Sequence, residues 1–319
     1  MSATDLFEDV IDFPDPTASA AYDRLVGLDA IKERLTKETL LLLDPNLLRE
    51  WSRAHHRAEL AALDYVASRP PLFVLAGDVG TGKTALARGF GNEVAKQARV
   101  SVQLFVLSLN ARGRGAVGEM TRLISQAFTE VREQVTRSRG KDGRSNRGVI
   151  LLIDEADALA QSREMAQMHH EDRAGVNALI RGVDETATGR LPVAVVMCTN
   201  RLDAIDPAVR RRAAAVFEFR RPSADQRRAV LELALQQAGL TDDELVALVE
   251  ATGPTDDRAF GYTYSDLTDR LVPALVLDAF PDRPLTGSRA LQLVREVSAT
   301  PPFQEQAQPV AAQGAKPTP

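Results

Sequence analysis

The sequence predicts an α/β fold: a mainly parallel sheet flanked by helices, followed by a small all-helical domain. Three observations carry this. Short, continuous apolar runs recur at 71–76, 102–107, 149–153 and 192–197, with a shorter one at 216–219. A strand buried on both faces reads this way, without the alternation of a strand that has one wet face. Between the runs, apolar residues return at helical spacing over 84–97, 118–136 and 172–184, so strand and helix alternate. After Arg221-Pro222 the strand signals stop, and 223–238, 241–251, 265–279 and 286–297 all read as helices, several opened by a capping side chain.

The flanks are weaker. Residues 1–22 are acidic and carry Pro14 and Pro16, and are expected to form a flexible arm. Helices are expected at 28–42 and at 54–67, the latter with Leu60, Leu63 and Val66 on one face. The α/β domain is expected over 23–220 and the helical one over 221–298. From Ala299 onward Pro, Gln and Ala dominate, with Glu305 and Lys316 as the charges, and a disordered tail over 299–319 is expected.

Composition narrows the class. Hydrophobic residues at 44% and charged residues at 26% are those of a globular chain, neither fibrous nor disordered. The net charge of −5 gives no global pull toward nucleic acid or acidic lipid, so any basic surface is local. A single cysteine, Cys198, rules out an intrachain disulfide and a cysteine zinc site, and fits a reducing cytosol. Met1-Ser2-Ala3-Thr4-Asp5 has acid where a signal peptide has base, and no apolar stretch reaches the ~18 residues of a membrane span. A cytoplasmic protein without membrane contact is expected.

Directly after the run at 71–76 stands Gly77-Asp78-Val79-Gly80-Thr81-Gly82-Lys83-Thr84, which matches G-x-x-x-x-G-K-[ST] in the strand-to-helix setting of a P-loop NTPase. The glycines let backbone N–H groups turn inward around a β-phosphate, and the helix N-terminus that continues through Ala85 adds its positive end. Lys83 supplies a cation for the β- and γ-phosphates, and Thr84 a hydroxyl for Mg²⁺. The run at 149–153 ends in Asp154-Glu155. At the carboxyl end of a parallel strand both face the ligand crevice. Asp154 is placed to hold the metal, directly or through water, and Glu155 to orient and polarise the attacking water. ATP hydrolysis with ATP and Mg²⁺ bound is the chemistry these residues spell.

Residues 193–208 read Val-Ala-Val-Val-Met-Cys-Thr-Asn-Arg-Leu-Asp-Ala-Ile-Asp-Pro-Ala, and Arg210, Arg211 and Arg212 follow. This resembles the second region of homology of classical AAA ATPases, members of the AAA+ class. With the phosphate loop and acidic pair the resemblance covers about residues 23–280. It implies that the helical domain is a lid, and that Asn200 is a polar sensor touching the γ-phosphate or lytic water. The position of Asn200 at a strand end agrees. It implies that Arg210–Arg212 are arginine fingers, meeting charge on the phosphate of a neighbouring subunit. A homo-oligomer, a hexameric ring, follows. Arg211 takes the first finger position. The second falls on Ala214, a departure from the family pattern. Val26-Gly27-Leu28 stands where family members contact adenine. The segment from Gly261 through Ser265 to Leu267 resembles the glycine-rich entry to the third lid helix, which closes over adenine. An arginine sensor found there in other AAA+ clades is missing.

Such rings thread or pull a substrate through the pore, usually with an aromatic loop. The corresponding segment here is 110–119, with Gly118-Glu119 aligned, Ala116 at the aromatic position, and Arg112 and Arg114 nearby. Compact size, one ATPase domain and a short acidic arm resemble bacterial relatives of the pachytene-checkpoint ATPase. Those proteins unfold part of HORMA-domain proteins and accompany them in cyclic-nucleotide antiphage systems, which implies a HORMA-domain protein as partner. The alternative is a nucleic-acid-dependent ATPase, a loader or a transposition regulator. It rests on 137–147, where Arg137, Arg139, Lys141, Arg144 and Arg147 face Asp142 alone. Such a segment could neutralise several phosphates. It equally has the composition of a solvated loop, and it lacks aromatics for base stacking.

Overall fold

The computed structural model describes residues 6–109, 118–138, 147–159 and 169–303. Arg112, Arg114 and Ala116, the basic segment over 139–146 and the chain from 304 lie outside the described residues. The chain divides into two compact units. One comprises the residues through Gly77 together with Gly82–Arg220, and the other Asp78–Thr81 with the residues from Arg221 on.

The first unit is built on a six-stranded sheet. Its order is β1 (Asp9–Phe13), β3 (Ser101–Ser108), β4 (Arg147–Asp154), β5 (Val193–Thr199), β2 (Leu72–Gly77) and β6 (Ala213–Phe219). All pairings are parallel except that of β1 with β3. The apolar runs are apolar throughout because both faces are covered. Leu72, Val74, Leu151, Ile153 and Val195 turn toward α7 (Glu119–Arg137) and α8 (His169–Thr188), meeting Ile124, Phe128 and Leu179. Their strand neighbours Phe73, Leu75, Ile150, Leu152 and Val196 turn the other way. There they pack on Leu35 of α2 (Asp29–Leu43), Leu86 of α5 (Lys83–Gly89) and Val94 of α6 (Gly91–Ala98). The period of two along each strand sorts the side chains into these two cores.

Three departures from the sequence reading have physical causes. The expected flexible arm over 1–22 contains β1 and α1 (Pro16–Asp23). Phe7 and Phe13 are buried, and Phe7 lies 4.8 Å from Phe105. An edge strand buries one face only, so its pattern is mixed and short. Pro14 follows the strand end, and Pro16 sits at the helix start, where no N–H is needed, behind an Asp15 cap on Ala18 N–H at 2.7 Å. The helix expected over 54–67 is broken. α3 (Asn46–His56) ends with Arg57 left-handed, and α4 (Ala62–Ala67) begins after a loop. Buried Ser52 competes for that loop's backbone, donating to Ala58 O at 2.6 Å and accepting from Leu60 N–H at 3.1 Å. Phe90 separates α5 from α6, where one helix over 84–97 was expected.

The second unit holds α10 (Ala224–Leu235), α11 (Asp242–Ala251), α12 (Val272–Ala279) and α13 (Gly287–Glu296), taking α9 for the short helix Pro207–Arg210 of the first unit. Capping boxes open α10 (Ser223 with Gln226) and α11 (Thr241 with Glu244). Ahead of α12 the chain forms a π-helical turn, Asp266–Leu271, and Pro273 removes an N–H just beyond it.

The expected tail begins later than Ala299. Thr300 donates its N–H at 3.0 Å and its hydroxyl at 2.6 Å to the fully buried carboxylate of Asp266. Phe303 N–H reaches Asp78 Oδ1 at 3.2 Å. Composition weighs apolar burial and misses an anchor made by one hydroxyl and one amide. Burial by itself would raise Asp266, but hydrogen bonds from Thr263 and Thr300 outweigh it and hold the carboxyl below its ordinary value. Thr300→Val, which keeps the shape and removes the hydroxyl, should therefore cost about 1.5–3 kcal/mol at neutral pH. With the folded pKa lowered, this contribution is complete above the unfolded value of about 3.9 and fades as pH falls through the folded one. Thermal melting of parent and variant at neutral and acid pH checks both size and sign. Equal melting at neutral pH would refute the anchor.

Candidate active site

Parallel pairing brings the strand ends into register at one edge. Ser108 lies opposite Asp154, Ile153 opposite Met197 and Ala76 opposite Thr199. The phosphate loop leaves β2 here. Gly77, Gly80 and Gly82 have φ of +155°, +72° and +94°, which side chains disfavour. At Gly77 a Cβ would also lie 2.0 Å from the Phe219 carbonyl oxygen, so no other residue fits.

Lys83 is buried, and its Nζ donates to Gly77 O at 2.8 Å. The ammonium is thereby held inside the loop's own curve. Thr84 Oγ lies 3.2 Å from Asp154 Oδ1, so the two predicted metal-holding groups converge. Burial raises the Asp154 pKa, partly offset by hydrogen bonds from the Glu155 N–H and Thr84. A carboxylate short of water gains from a cation beside it. Hydroxyl and carboxylate oxygens are hard donors suited to Mg²⁺, which keeps waters and substrate phosphates as its other ligands. The residues present fit that ion. Ala85 is exposed one residue further along α5.

Glu155 follows in a left-handed backbone conformation, φ +54°, with its side chain exposed. Its Oε2 accepts from Ser108 Oγ at 2.9 Å. Asn200, one residue past β5, is held by Asp157 in the turn after Glu155. Gly27 has φ +75°, beside half-buried Val26. Leu28 of the same loop comes within 3.4 Å of where a Gly82 Cβ would lie, so the expected adenine loop adjoins the phosphate loop.

In the second unit, Ser265 N–H donates to Gly80 O at 3.1 Å. Thr81 is buried and its hydroxyl donates to Asp78 O, while Val79 is exposed. Asp78 puts an acid in a loop shaped for anions. Arg221 answers it with two donors to Asp78 Oδ2, at 2.6 and 2.8 Å, and a third to Gly261 O at 2.7 Å.

The arginine triplet divides. Arg212 donates to Asp184 at 2.7 Å and to Ala208 O at 3.2 Å, within its own chain. Arg210, at the end of α9, and Arg211 are exposed. Their backbone N–H groups donate to Asp206 O and Pro207 O, both at 3.0 Å, while their guanidinium groups make no hydrogen bond or ion pair among the described residues.

Comparison with known proteins agrees with this geometry. The family described as ATPase family associated with various cellular activities (AAA) matches residues 73–221. CD-NTase-associated protein 6 of Escherichia coli (strain MS 115-1) is 50% identical over 302 residues, 95% of this chain and 97% of that protein. The chain is an AAA ATPase of the CD-NTase-associated protein 6 family. A second member, from Escherichia coli (strain KTE188), is 40% identical over 94% of this chain and 98% of its own length. A chain of the E. coli MS115-1 HORMA:CdnC:Trip13 complex superposes with a TM-score of 0.86 at 49% identity, covering 95% of this chain and 99% of that one. Rhizobiales Trip13 gives 0.72 at 43% identity, over 93% and 100%.

Three site residues of this AAA ATPase escaped the sequence reading: Ser108, Asp157 and Arg221. Ser108 and Asp157 act across strand neighbours, which local sequence does not reveal. Arg221 had a signal, since an acid at the second position of a phosphate loop calls for a cation.

Proposed function

We propose that this chain hydrolyses ATP in a homo-oligomeric ring, and that hydrolysis drives the remodelling of a HORMA-domain protein in a CD-NTase antiphage system. One observation carries the reading. Lys83, Thr84, Asp154, Glu155 and Asn200 stand together on a chain 49% identical to one in a HORMA:CdnC:Trip13 complex.

The residues divide the work as follows. Lys83 exchanges the Gly77 carbonyl for phosphate oxygens of the incoming ATP. Thr84 and Asp154 would hold magnesium, which when bound would offset the negative charge of the phosphates. Glu155 turns from Ser108 to accept a hydrogen bond from the attacking water, setting it in line with the γ-phosphorus. It takes up the water's proton as the new O–P bond forms and the bond from the γ-phosphorus to the β–γ bridging oxygen breaks, its electron pair leaving with ADP. Asn200 steadies that water and the γ-phosphate. Arg211 reaches the site of the next subunit.

The test mixes the chain with a purified HORMA-domain protein and ATP, and follows the protease sensitivity of the HORMA domain. ATP-dependent exposure of a HORMA segment is expected, and Lys83→Ala, which has no cation to bind the phosphates, should abolish it. Hydrolysis stimulated by DNA or RNA, with the HORMA protein unaltered, would overturn the reading in favour of a nucleic-acid motor.

A further inference from the structure

Asp157 lies in the first turn after β4 and is buried, 5% exposed. Among the described residues, the hydrogen bonds to its carboxylate come from three consecutive residues at the end of the neighbouring strand. Oδ1 accepts from the Thr199 hydroxyl, from Asn200 N–H at 3.0 Å and from Arg201 N–H at 3.1 Å. Oδ2 accepts from Asn200 N–H at 3.1 Å and from Asn200 Nδ2 at 2.8 Å. Structural need alone would be met by the backbone bonds. The last one does something more.

A carboxylate only accepts, so the Asn200 atom that faces it must be the amide nitrogen. The opposite rotamer would set the Asn200 carbonyl oxygen against a carboxylate oxygen, with no proton between them. Oδ1 of Asn200 is therefore turned away from Asp157, and Nδ2 retains one N–H. We infer that Asp157 is the positioning residue of the sensor: it selects the amide orientation in which Asn200 presents an acceptor and one donor to the reacting groups. The inference rests on the ATPase reading above. An acceptor suits a hydrogen of the attacking water, and a single N–H suits a γ-phosphate oxygen. The flipped amide offers both in the wrong places, which misaligns the water without touching the phosphate loop.

Asp157→Asn tests this in the full-length chain. The substituted side chain has the same volume but can donate as well as accept, so it satisfies either orientation of Asn200. Turnover should fall by about 10²-fold, the loss typical of a displaced reacting geometry. ATP affinity should stay at the parent's value, because Lys83 and the loop are untouched. The melting temperature should fall, because an NH₂ group replaces one of two buried oxygens that accept from Asn200. The deciding measurement is the double-mutant cycle with Asn200→Ala. If Asp157 acts through the amide of Asn200, adding Asp157→Asn to Asn200→Ala costs nothing further. If it merely braces the turn, the two losses multiply, and the inference is overturned. Parent-like turnover in Asp157→Asn overturns it as well. Should Asp157→Asn fail to fold, Asp157→Glu takes its place in the same cycle, keeping the charge but moving the acceptor by one methylene. An Asn200→Ala chain as active as the parent would strike the sensor assignment itself, which separates failure of that reading from failure of the Asp157 role alone.

Discussion

Glu155→Gln should bind ATP as tightly as the parent and turn it over about 10²–10⁴-fold more slowly, the range that general base catalysis contributes. The substitution keeps the size and leaves Lys83, Thr84 and Asp154 in place, so the phosphates meet the same donors. What disappears is an acceptor able to take the proton of the attacking water. Glu155 follows the carboxyl end of β4 with an exposed side chain, so its replacement takes nothing from the core. Ser108, 2.9 Å from Oε2, keeps the carboxylate aside in this conformation. Single-turnover hydrolysis and a fluorescent-nucleotide titration on the same preparation check the prediction. A parent-like rate would remove Glu155 from the mechanism.

How much of this was legible depends on how local each signal is. The strands β2, β3, β4 and β5 announced themselves because a run buried on both faces needs no knowledge of its neighbours. The strand-to-helix setting of the phosphate loop was legible for the same reason, and so was the placement of Asp154 at a strand end. Ser108 and Asp157 were not. A serine at the end of β3 means little until β3 is known to pair with β4, which sets Ser108 opposite Asp154. Asp157 looks like a solvated turn residue until β5 is known to run beside β4 and deliver Thr199, Asn200 and Arg201 to it. The terminal segments failed in another way. β1 pairs with β3 and buries Phe13 and, in part, Ile11 in the core that holds Phe90 and Val94. Asp9 and its neighbour Glu8 answer Arg88, which lies 3.2 Å and 2.9 Å from them. An acidic composition therefore concealed an ion-paired strand. At the other end a buried Asp266 collects Thr300, a partner 34 positions away that no window of sequence could supply.

Arg211→Ala should bind ATP with near-parental affinity and lose about 10³-fold or more in turnover, the scale on which an arginine meeting transition-state charge acts. The structure sharpens which arginine to remove. Arg212 is clasped by Asp184 in its own chain, so Arg212→Ala should act on stability before it acts on rate. The Arg211 guanidinium is exposed and makes no hydrogen bond or ion pair among the described residues, which leaves it available for the proposed role in trans. Two defective chains then test action in trans. A Glu155→Gln subunit retains Arg211, and an Arg211→Ala subunit retains Glu155. Where the first presents its arginine to the second, one complete site is restored, so mixing the two inactive proteins should recover turnover once subunits exchange. Mixing either with Lys83→Ala distinguishes the two directions of the interface, because only Glu155-competent pockets that also bind ATP can fire. Turnover that stays linear in protein concentration while light scattering shows monomers with ATP bound would defeat the ring mechanism. Arg211 would then be a surface cation, and the loss on its removal would have to vanish with it.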